Sequence, residues 1–65
     1  MNPIEEQLIT DHITNLQEQR EKIIALIPEE NGDFADSLAR MIYSSERRSV
    51  ERDIYTWKLL KKLLT

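Results

Sequence analysis

Only three residues in this chain of 65 break helices strongly, Pro3, Pro28 and Gly32, and the last two sit close together near the middle. The rest of the chain is free to run as helix, so it divides into two long segments around one connection. Asn2 is placed to cap the first segment. Pro3 suits the first helical position because its missing N–H is not needed there, and Glu5 stands where a capping box requires it. Apolar residues then recur at Ile9, Ile13, Leu16, Ile23 and Ile27, which keeps one face of a 3.6-residue period, with Arg20 alone interrupting the stripe. Pro28 disfavours helical backbone at Ile27 and cannot donate to Ile24, so the first helix is expected over about 3–27.

Pro28 to Gly32 reads as a tight polar connection, and Asp33 with Asp36 gives the second helix a cap and an acidic first turn. Its stripe is Phe34, Leu38 and Ile42, then Val50, Ile54, Trp57, Leu60 and Leu64, while Lys58, Lys61 and Lys62 favour the negative end of the helix dipole. Between them, Ser44 to Ser49 carries no apolar residue. No glycine or proline intervenes and Arg47 can pair with Glu51 one turn on, so a single helix is expected over about 33–64. At ~1.5 Å per residue the helices span roughly 38 and 48 Å, so the second overhangs the first. The expected fold is all-α: one domain, 1–65, built as a two-helix antiparallel hairpin.

A chain this short buries little surface, and with no cysteine it has neither a disulfide nor a thiolate zinc site to stabilise it. Association is the expected substitute. Ile4, Leu8, Ile24, Leu26, Tyr43, Tyr55, Leu59 and Leu63 add apolar surface beyond one seam, which favours dimerisation into a four-helix bundle or a groove for a partner helix. Charge is polarised as well. Residues 1–36 hold two basic against nine acidic side chains, net −7, and residues 37–65 hold seven against three, net +4. In a hairpin this sets an acidic helix beside a basic one and steers their pairing.

Nothing in the chain assembles into catalytic machinery. His12 is the sole histidine, no Glu-x-x-His pattern occurs, and one glycine cannot make a phosphate loop, so no enzyme, cofactor or metal is expected. No apolar run approaches the roughly 20 residues of a membrane span, and the N-terminus lacks the basic and apolar regions of a signal peptide. A soluble protein follows, and the absence of cysteine fits the cytoplasm. Two residues carry open readings. Arg20 either lays its stem on the apolar face with its guanidinium in water, or is a buried polar device that fixes register or oligomer state by pairing with a carboxylate across the interface. Trp57 is either core or an interface anchor.

Met1, Ile4, Glu5, Glu6, Gln7 and Leu8, the turn at Asn31, Gly32 and Asp33, and the run Glu46, Arg48, Val50, Glu51 and Ile54 together resemble the small E-type co-chaperones of type III secretion needle proteins. The resemblance covers most of the chain with a few residues gapped in the second helix. It implies a helical hairpin that docks on a helical-repeat chaperone and helps keep a needle subunit unpolymerised. Pro28, the Arg47 and Arg48 pair and the lysine-rich C-terminus depart from that pattern. The function expected on all these grounds is non-catalytic protein association, as adaptor, inhibitor or co-chaperone, through Ile42, Val50, Ile54, Trp57 and Leu64, with another protein or a second copy as partner. The alternative is a dimeric nucleic-acid-binding regulator using Arg40, Arg47, Arg48 and Arg52, although a pI near 5.0 opposes it.

Overall fold

A computed structural model describes residues 1–29 and 32–64, which form two α-helices, α1 (Pro3–Leu26) and α2 (Phe34–Leu64). The start of α1 is built as its sequence requires: Asn2 Oδ1 accepts from Glu5 N at 2.8 Å, and Pro3 occupies the first turn. Its end is set by Ile27, which turns to an extended conformation (φ −72°, ψ 117°) ahead of Pro28 while its N–H still reaches Ile24 O at 3.2 Å. At the head of α2, Asp33 Oδ1 accepts from Asp36 N at 3.0 Å and Asp33 O from Ser37 N at 3.0 Å. Gly32 passes so close to Asp36 that a Cβ there would overlap the aspartate side chain. Asn31, part of the resembling turn, lies outside the described residues. The serine-rich stretch 44–49 is helical throughout, as its lack of breakers predicts.

The helices run antiparallel. Thr10 meets Lys61 and Arg20 meets Glu51, so positions opposite each other sum to about 71. Carried to the end of α1, this register sets Leu26 level with about residue 45, and the first ~16 Å of α2 therefore projects past α1. The long dimension of the molecule, 51 Å, agrees: it is the ~46 Å of α2 plus the first turn of α1. The tight connection expected at Pro28 to Gly32 includes residues 30 and 31, which lie outside the described residues.

This overhang corrects the expected stripe of α2. Phe34, Leu38 and Ile42 do not face α1; they are 79%, 44% and 58% exposed, because no α1 residue stands opposite them. The seam of α2 is instead Tyr43, Arg47, Val50, Ile54, Trp57 and Lys61, an alternation of four- and three-residue steps. The eight-residue step from Ile42 to Val50 rotates the row by about 80° at about 100° per residue, enough to carry Ile42 off the seam. On α1, Ile9, Ile13, Leu16, Ile23 and Ile27 face α2 as their spacing predicts. Among the described residues only Ile13, Leu16 and Ile54 are buried, with Ile9, Val50 and Trp57 packed around them. Truncating this center should be costly. Ile54→Ala is expected to lower stability by about 2 to 4 kcal/mol in urea unfolding, whereas Leu63→Ala, at a position 75% exposed, should change it by less than about 0.5 kcal/mol.

Candidate association surface

Two helices side by side make a slab, 51 Å long, 16 Å wide and 11 Å thick, with two broad sides of opposite character. One side is polar. Thr14, Gln17, Glu18, Arg20, Glu21, Glu51 and Lys58 line a shallow groove there together with Ile54 and Tyr55, and Thr10, Lys61 and Lys62 continue it toward the open end of the hairpin. Lys61 Nζ donates to Thr10 Oγ1 at 2.8 Å across this side. The other side is apolar at the open end, where Met1, Leu8, Ile9, Trp57 and Leu64 with His12 and Glu5 line a groove of about 380 Å³. His12 and Trp57 meet edge to face, ring centroids 4.6 Å apart at 65°. Leu60, one turn from both Trp57 and Leu64, extends the groove along α2.

From the groove the same flank of α2 passes through Asp53, Ser49 and Glu46 to Ile42 and Leu38 on the overhang. The apolar side thus has two greasy ends and a polar middle. Its exposure is large: Leu8 64%, Leu26 56%, Ile42 58%, Leu60 39% and Leu64 49%. Exposed apolar surface of this extent is more than scattered single side chains account for.

The residues expected to bind a partner fall on one flank but at different depths. Ile54 is buried in the seam, Val50 and Trp57 are half-buried against it, and Ile42 and Leu64 are exposed on the apolar side. The expected basic set is more scattered. Arg47 turns into the seam, with Nε 3.2 Å from Glu51 Oε1 but too far off axis to donate a hydrogen bond. Arg40 is half-buried and engaged, while Arg48 and Arg52 are exposed. Among the described residues no three metal-ligating side chains cluster, and no helix is long and apolar enough to cross a membrane.

Arg20 has its side chain 37% exposed, meets Glu21 at 3.2 Å on its own helix and spans the seam to Glu51 at 3.5 Å, where Glu51 also meets Arg47. One carboxylate between two arginines, at seam positions of both helices, marks a single register. The sequence reasoning missed the open-end groove, because Met1, Glu5 and Leu8 precede the stripe of α1 and only the pairing of the helices brings them beside Trp57. Because Arg20 and Glu51 are partly solvated, the ion pair should contribute little to stability: a double-mutant cycle with Arg20→Met and Glu51→Gln is expected to give a coupling under about 1 kcal/mol. Repeating the cycle at about 1 M NaCl should remove most of it. No protein-family model, curated protein or solved structure matches this chain.

Proposed function

We propose that this protein is a non-catalytic helical hairpin that works by associating with protein through the apolar side of the slab, as an adaptor, inhibitor or co-chaperone. The observation that carries this reading is the imbalance of its apolar side chains. Among the described residues, thirteen large hydrophobics are at least 39% exposed and three are buried. Helices in water gain most of their stability from covering such surface, and this hairpin covers little of it alone. The resemblance to needle-protein co-chaperones points to the same mode of action, in which a hairpin lends an apolar side to a helical-repeat partner. A reducing compartment such as the cytoplasm suits a chain with no cysteine.

The basic alternative draws less support from the geometry. Arg48 and Arg52 are exposed and Arg40 lines a shallow groove with Arg48, but Arg47 is held by Glu51 in the seam, so the four arginines do not form one exposed set. A photo-crosslinking residue placed at Ile42 or Leu60 in producing cells separates the two readings. Protein adducts are expected at both positions and not at Gln17 or Lys58 on the polar side. Absence of adducts at Ile42 and Leu60, together with salt-sensitive RNA or DNA binding that Arg48→Glu with Arg52→Glu abolishes, would overturn the proposal in favour of a nucleic-acid regulator.

A further inference from the structure

We infer that the apolar side is covered by a second copy of this chain, packed antiparallel to give a four-helix bundle. This inference rests on the association reading and names its partner. Three observations support it, of area, of shape and of self-complementarity.

A compact chain of 7.7 kDa exposes about 4,300 Å². The hairpin exposes 5224 Å², an excess of roughly 900 Å² over that compact value. The broad side, 51 Å by 16 Å, projects roughly 800 Å², and a stable interface takes about 800 Å² from each partner. Area and outline therefore agree: one copy can cover the side of another, and nothing larger is required.

The arrangement of residues also suits a two-fold axis. Leu38 and Ile42 form the apolar end on the overhang, Leu8, Leu60 and Leu64 form the other at the open groove, and Glu46, Ser49 and Asp53 lie between. Ser49 is midway between Leu38 and Leu60. A two-fold axis lying in the plane of the side and crossing α2 near Ser49 lays the overhang of each copy on the open groove of the other, twice over, as an isologous contact requires. The overhang then gains the neighbours that α1 is too short to supply.

Sedimentation equilibrium over a concentration series tests this directly. The protein is expected at about twice 7.7 kDa in the micromolar range. Leu8→Lys with Ile42→Lys, at positions 64% and 58% exposed and so not needed by the hairpin itself, should weaken self-association about 100-fold or more while helicity by circular dichroism is kept. Leu60→Lys alone should weaken it in the same direction, which keeps the test alive if the double variant unfolds. Met41→Lys with Leu63→Lys, equally exposed but off this side, should shift it by no more than about threefold. A wild-type chain that stays at 7.7 kDa up to about 1 mM overturns the inference, as does dissociation by the Met41 and Leu63 pair but not by Leu8 and Ile42. A monomer whose Ile42 still crosslinks to a different protein removes the second copy and leaves association standing, whereas a monomer with no crosslinks removes both.

Discussion

The fold hangs on a contact of three side chains: Ile13 and Leu16 of α1 against Ile54 of α2. Every other apolar residue is only partly buried or exposed, so this small seam does for the hairpin what a full core does in a larger domain. Its smallness has two consequences. It fixes which helix faces meet, and it leaves the rest of the apolar surface looking for cover. The charge asymmetry between the acidic α1 half and the basic α2 half assists the pairing without adding much stability, since such contacts at the surface are worth little.

Register is the second constraint. With Arg20 level with Glu51 and Thr10 level with Lys61, α1 ends well short of the head of α2. The overhang is therefore a product of register and of an extended exit at Ile27, and it is what exposes Phe34, Leu38, Met41 and Ile42. A helix end with that composition is unfavourable in water by itself, and it lies at the opposite end of the molecule from a groove of matching character. The proposed association surface and the architecture thus follow from one mismatch in helix length.

Much of this was legible in the residues. Asn2, Pro3 and Pro28 bound α1, and Asp33 starts α2, through local hydrogen bonds and fixed dihedral angles that depend on a few neighbours only. The stripe of α1 held because its steps stay in phase. The stripe of α2 misled at its first half, since Phe34, Leu38 and Ile42 are periodic in themselves but out of phase with Val50 and Ile54. Periodicity shows that a face is apolar; it does not say which of two faces meets the neighbour, and only the register decides that. The groove of Leu8, His12, Trp57 and Leu64 was out of reach for the same reason, as its two halves are brought together by pairing alone. Of the expected association residues, Ile42 and Leu64 lie on the exposed apolar side while Ile54 sits in the seam, a division that spacing could not have drawn.

Backbone hydrogen exchange, followed at dilute and at high protein concentration, tests most directly whether the overhang depends on a partner. Amides of the seam, around Ile13, Leu16 and Ile54, should be the best protected within the hairpin. Amides of residues 38–43 should exchange quickly when dilute and become protected on concentration, as a second copy settles over Leu38 and Ile42. Equal protection of that segment at every concentration would contradict the account, because it would mean that no second copy settles over the overhang.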